Sequence, residues 1–246
     1  MIRAKKNQQT TGVRSGFTII ELMLAMTFVS VLLLAIALTI IRAGTIYSKG
    51  MALRDINQSS RAITEDLRRT VTSAGSISLS STNYVVSRVG GGTTGPVLSG
   101  RLCLGNYSYL WNTLDGAKAT TNIKNNGTAV SLVRVPDAGR FYCANVPGVG
   151  LPWSIRSTDR EKLVQLVKEG DHKLSLTAFS VDTGSSLYDP VTGQRLFTVN
   201  YSIGTGEPST MTADRTACLP PSDPASDPVY CNVQQFSSVV RAGGGA

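Results

Sequence analysis

Ser15-Gly16-Phe17-Thr18-Ile19-Ile20-Glu21 opens the stretch that decides how this chain is built, and the residues after it run to Ile41 almost without polarity. Between Phe17 and Ile41 there is no Pro or Gly, and Glu21 is the only charge. A helix rising ~1.5 Å per residue carries such a stretch about 37 Å, enough to cross a hydrocarbon core of about 30 Å. A carboxylate at the middle of a bilayer costs about 2.5–3.5 kcal/mol, and less near an end. Acids in such places are rare, and the default expectation is a task and a partner.

Residues 1–16 form a polar leader with Arg3, Lys5, Lys6 and Arg14 and no acid. Positive charge is retained on the cytoplasmic side, so the leader is expected inside and the residues after Arg42 outside. From Arg42 to Ala74 the apolar residues Ile46, Leu53, Ile56, Ile63, Leu67, Val71 and Ala74 recur at helical steps, which predicts an amphipathic continuation of the helix over 42–74. Gly44 and Gly50 are candidate bend points, Glu65 and Arg69 a surface i,i+4 pair, and Gly75 the stop.

The basic leader ending in Gly16, then Phe17-Thr18-Ile19-Ile20-Glu21 and the apolar run, resembles the type IV pilin-like family: type IV pilins and the pseudopilins of type II secretion. Close resemblance covers residues 14–74. It implies cleavage between Gly16 and Phe17 by a prepilin peptidase, N-methylation of the new Phe17 terminus, and insertion in membrane lipids before assembly. It further implies packing against other pilin subunits through the N-terminal helix, delivered by an inner-membrane assembly machinery. Physics gives Glu21 an assembly role in that setting. A free α-amine ordinarily titrates at about 7.7–8.0, so the one released at Phe17 is mostly protonated at neutral pH and can neutralise Glu21 of the next subunit. Many family members carry a Pro further along this helix, whereas this chain has none from Phe17 to Ala74. The segment Thr64-Glu65-Asp66-Leu67-Arg68-Arg69 resembles that of larger minor pilins and J-type pseudopilins.

After Gly75 the pattern changes to period two, and strands are predicted at 83–89, 98–104, 107–112, 129–135, 140–143, 174–181, 195–203 and 235–241. Asn125-Asn126-Gly127 and Pro190-Val191-Thr192-Gly193 read as turns. Thr158-Asp159-Arg160-Glu161 reads as a capping box before a short helix through Leu163, Val164, Leu166 and Val167. The expected fold class is α+β, a long N-terminal helix on an antiparallel sheet domain over 75–241, with a disordered tail at 242–246; the resemblance implies the same layout, the pilin fold. Four cysteines allow three pairings. Cys218 and Cys231 bracket a Pro-, Ser- and Asp-rich loop that has little to bury, so their disulfide is expected, leaving Cys103 to Cys143. A disulfide closing a C-terminal region also resembles the pilin pattern.

No catalytic site, cofactor or metal is expected from the sequence. The only histidine, His172, reads as a turn residue, and there is no G-x-S-x-G elbow. Gly90-Gly91-Gly92-Thr93-Thr94-Gly95 fits G-x-G-x-x-G in form, but Pro96 and a strand follow in place of a helix. Asp214, Asp223 and Asp227 match no EF-hand spacing, and the sequons at Asn57, Asn106, Asn126 and Asn200 mark polar segments. The net charge is +8, and removing the four leader charges leaves 20 basic against 16 acidic side chains, or +4. That balance does not argue for nucleic acid, although Tyr107, Tyr109 and Trp111 share a strand face. The reading is a pilus subunit, a minor pilin first and a type II secretion pseudopilin second. Its competitors are a secretory signal peptide cut after Ala35-Ile36-Ala37, a stand-alone anchored adhesin or hydrolase, and a DNA-binding subunit.

Overall fold

A computed structural model describes residues 16–74, 79, 83–91, 95–143, 154–167, 173–182, 191 and 195–242. The leader before Gly16, His172, most of the turn at 190–193 and residues 243–246 lie outside the described residues. The class is α+β. The chain divides into two compact units, Met1–Tyr47 and Ser48–Ala246.

Helix α1 runs Ile19–Ser73 and is helical through both Gly44 and Gly50. In the first unit every large apolar side chain from Phe17 to Ile41 is open, from 45% exposed at Leu32 to 84% at Phe17. This is one helix long and apolar enough to cross a membrane. Ile46, expected on the packed stripe, is also exposed. Burial of α1 begins in the second unit, at Ala52, Ile56, Ser60, Ile63, Leu67, Thr70 and Val71, which recur at steps of three and four.

That buried stripe packs on two antiparallel sheets. The first has the order β1-β2-β3-β6-β7, with β1 Tyr84–Arg88, β2 Val97–Leu104, β3 Tyr107–Asn112, β6 Leu132–Pro136 and β7 Val164–Gln165. The second has the order β10-β9-β8, with β8 Ser175–Asp182, β9 Arg195–Thr205 and β10 Asn232–Ala242. A small hairpin pairs β4 Lys124–Asn125 with β5 Thr128–Ala129 across Asn126 and Gly127, both at positive φ, the geometry that Asn-Gly turns supply at low cost. A short helix α2, Leu114–Lys118, is capped by the Thr113 hydroxyl accepting the Gly116 N–H.

Strand β3 is buried on both faces. Tyr109 and Trp111 join Ile56, Ile63, Leu67 and Val71 of α1 together with Phe179 and Tyr201 in the main core. Leu110 points the other way, into a second core with Ile123, Val133, Val135, Tyr142 and Ile155. The Tyr109 and Trp111 face is therefore core, while Tyr107 carries the Arg134 guanidinium 4.7 Å above its ring. Opposite Trp111 the register places Gly100, where a Cβ would come within 2.2 Å of the indole, so only glycine fits there.

Hydrogen bonds fix how the helix seats. The Tyr201 hydroxyl lies 2.9 Å from both Ser60 Oγ and Thr64 Oγ1. The Tyr109 hydroxyl donates to Asp66 Oδ2 at 2.7 Å, and Arg134 pairs with Asp66 Oδ1 at 3.1 Å. Burial and then the adjacent Asp66 charge push the Tyr109 phenol far up, so it stays a donor. Glu65 and Arg69 form their pair on the open side at 2.8 Å.

Four expectations are corrected. Residues 140–143 are a turn, because Tyr142 N–H binds the Asp137 carboxylate in place of a strand neighbour. The predicted strand 129–135 is two elements, β5 and β6, parted at Val130 and Ser131. The box at Thr158 opens only a 3₁₀ turn over Ser157–Asp159, because Asp159 turns inward to Tyr142, and Val164–Gln165 then pairs with β6. Ala242 is the last residue of β10 and not tail.

The buried helix face should carry much of the second unit's stability. Ile63→Ala is expected to cost about 2–5 kcal/mol, and Ile46→Ala close to nothing, in urea unfolding of the full chain in lipid nanodiscs. Equal effects at the two positions would contradict the assigned face.

Candidate functional site

The residues expected to be functional, Gly16, Phe17 and Glu21, stand at the head of α1. Gly16, Phe17 and Thr18 precede the helix, which starts at Ile19. Thr18 and Glu21 close a reciprocal pair. The Thr18 N–H donates to Glu21 Oε2 at 3.0 Å, its hydroxyl to the same oxygen at 2.9 Å, and Glu21 N–H returns a bond to Thr18 Oγ1 at 3.3 Å. This is a capping box, Thr-x-x-Glu, and it satisfies donors that a helix start leaves open. In the sequence the charge of Glu21 overshadows its cap, although the signal is there in Thr18, three residues ahead.

The cap uses half of the carboxylate. Both Thr18 bonds fall on Oε2, and Oε1 has no hydrogen-bond partner among the described residues. Gly16 stands in open space, with nothing described within 4 Å of where a Cβ would sit. Among the described residues nothing demands glycine at 16.

In the second unit the cysteines pair Cys103 with Cys143 and Cys218 with Cys231. The first bond ties the end of β2 to the turn at 140–143. Around that turn sits a buried polar cluster. Arg101 donates to the Tyr142 carbonyl at 2.9 Å, and Asp137 accepts from Ser108 Oγ at 2.7 Å. Burial pushes the Arg101 guanidinium down, and the Asp137 charge partly restores it. The Tyr142 hydroxyl donates to Asp159 Oδ2 at 2.7 Å and accepts the Arg156 N–H at 3.0 Å. Burial, aided by the Asp159 bond, pushes the Tyr142 phenol up to about 12. Burial also acts to raise Asp159, but bonds from Tyr142, Arg156 and Thr158 outweigh it and hold that carboxyl below its ordinary range. These bonds hold the turn, while Asp137 Oδ1 is buried without a hydrogen-bond partner among the described residues.

The second disulfide closes the loop that carries Asp223 and Asp227. Their side chains bend back on the chain: Asp223 Oδ1 accepts the Ala225 N–H, and Asp227 Oδ1 accepts those of Val229 and Tyr230. Asp214 is held by Thr212 and Thr216 in the same way. Among the described residues no three such groups gather as metal ligands.

Compared with models of protein families, with curated proteins and with solved structures, the chain matches none.

Two measurements check this geometry. Removing the smaller disulfide by Cys218→Ser with Cys231→Ser should cost about 3 kcal/mol, the chain-entropy value for a loop of this size, in denaturant unfolding. An effect below about 0.5 kcal/mol would show that the loop is held by other means. The Tyr142 phenol ionises near 10 when unfolded and near 12 when folded. The folded state then binds more protons in that window, so this group's stability is complete below pH ~10 and is lost as pH rises from ~10 through ~12. Tyr142→Phe should make the alkaline fall in stability shallower, and an unchanged slope would refute the shift.

Proposed function

We propose that the chain is a prepilin, matured to a minor pilin of a type IV pilus and catalysing no reaction. The observation that carries this reading is the head of α1, where a half-satisfied carboxylate stands four residues after an open, non-helical Phe17. Cleavage after Gly16 frees an ammonium at Phe17, one residue ahead of the cap. The prepilin peptidase supplies a demand for glycine that packing among the described residues does not make.

Lipid covers the apolar surface of residues 17–41 first, and the same surface on other subunits covers it after assembly. In a bundle of such helices staggered along their axis, the ammonium of one protomer meets Glu21 Oε1 of the next. Each charge removes the other's desolvation cost, and only one stagger satisfies both, so the pair sets the axial register. The inner-membrane machinery then extracts subunits whose register is already fixed. On this reading the chain takes the pilin fold, and residues 48–246 present the disulfide-closed loop at the cell surface.

Glutamine separates the two roles of Glu21, because it caps a helix as glutamate does but carries no charge. Glu21→Gln and Glu21→Ala should both be cut to a Phe17 terminus, remain in the membrane, and be missing from purified filaments. Incorporation of Glu21→Gln at the wild-type level would reduce Glu21 to a cap and remove the assembly role.

A further inference from the structure

A cleft of about 970 Å³ opens in the second unit where segments distant in sequence converge. Its walls come from α1 at Lys49, α2 at Lys118, the hairpin at Thr128, the start of β8 at Lys173, and the disulfide-closed loop at Tyr230. The volume suits a ligand of a few rings.

The charges in the cleft do not cancel. Three lysines, Lys49, Lys118 and Lys173, line it against two acids, Glu207 and Asp227. Glu207 is held by Lys118 and also lies in the field of Lys173. Asp227 is bent back on its own loop by the Val229 and Tyr230 N–H groups. Lys49 and Lys173 make no ion pair among the described residues. Hydroxyl and amide groups stand beside them, and no side-chain hydrogen bond engages Thr128, Ser175 or Asn232 among the described residues.

At the rim Tyr230 is 72% exposed, although its backbone N–H and carbonyl are both bonded. Its N–H binds Asp227 Oδ1 at 3.1 Å, its carbonyl accepts the Thr205 hydroxyl at 2.7 Å, and the next residue is the disulfide-bonded Cys231. A large aromatic face held out on rigid backbone loses little entropy when something stacks on it.

We propose that this cleft binds a carboxylated oligosaccharide, one bearing a uronate- or sialate-type sugar. Tyr230 stacks on the C–H face of a sugar ring, Thr128, Ser175 and Asn232 bond its hydroxyls, and Lys173 with Lys49 holds the carboxylate through charge-assisted bonds. One surplus cation and one aromatic in a half-open cleft suit a single acidic sugar. A nucleic-acid strand needs a track of cations and successive stacking rings. The site belongs wholly to residues 48–246 and stands or falls independently of pilus assembly.

The test is an array of uronate-bearing, sialylated and matched neutral oligosaccharides, with a single-stranded DNA oligonucleotide alongside, probed with the full chain in lipid nanodiscs. The expected result is retention of at least one carboxylated glycan, with Kd of about 1 mM or tighter, and binding at least about tenfold weaker for its neutral counterpart. Tyr230→Ala and Lys173→Gln should each weaken that binding about tenfold with unchanged thermal unfolding. Methyl esterification of the glycan carboxylate, which leaves the protein untouched, should abolish retention. The proposal is overturned if no carboxylated glycan is held at about 1 mM, if the ester or neutral form binds as well, if the oligonucleotide is preferred, or if both variants bind as the parent does.

Discussion

Seventeen large apolar side chains stand open, Phe17 just ahead of one helix and sixteen along it from Ile19 to Ile41, and everything else in this protein has to accommodate that surface. Fully covering such a side chain is worth about 1.5–3 kcal/mol. Even partial cover of the whole set therefore amounts to tens of kcal/mol. The penalty for Glu21 is about 2.5–3.5 kcal/mol at most, an order of magnitude smaller. The carboxylate thus cannot decide whether the helix is covered. In the proposed filament, what it decides is the axial position at which helices stop sliding, since apolar surfaces alone are nearly indifferent to register.

The second unit solves the opposite problem, that of one defined seat for a helix on sheet. Ile56, Ile63, Leu67 and Val71 supply the buried area. Tyr201 with Ser60 and Thr64, and Tyr109 with Asp66 and Arg134, supply the address. Shifting the helix by one turn would leave a buried phenol and a half-buried carboxylate without partners, a cost of about 1–3 kcal/mol for each unsatisfied group. The same division of labour, area for stability and polar pairs for register, is what the proposed Phe17–Glu21 contact carries over to assembly.

Much of this was legible in the chain. The apolar run, the helical stripe at 56–71 and the period-two strands β1, β2, β3, β8, β9 and β10 follow from burial on one side of a regular element. What misled were signals whose meaning depends on distant partners. Thr158 to Glu161 has the spelling of a helix start, but Asp159 is drawn to Tyr142, seventeen residues earlier. Arg140 to Cys143 alternates like a strand and is instead folded by Asp137 and the bond to Cys103. Strands β4 and β7 are two residues each, too short for any period to show. The cap at Thr18 has its signal in the Thr-x-x-Glu spacing of Thr18 and Glu21. The cleft was not readable, because Lys49, Lys118, Lys173 and Tyr230 are brought together only by the sheet order.

The most direct test of the central claim is the mass of the N-terminal peptide of the mature polypeptide recovered from cells. The account predicts a peptide that begins at Phe17 and carries one added methyl group. A peptide that still contains Gly16 and the basic residues before it, or one that begins at Leu38, would contradict it.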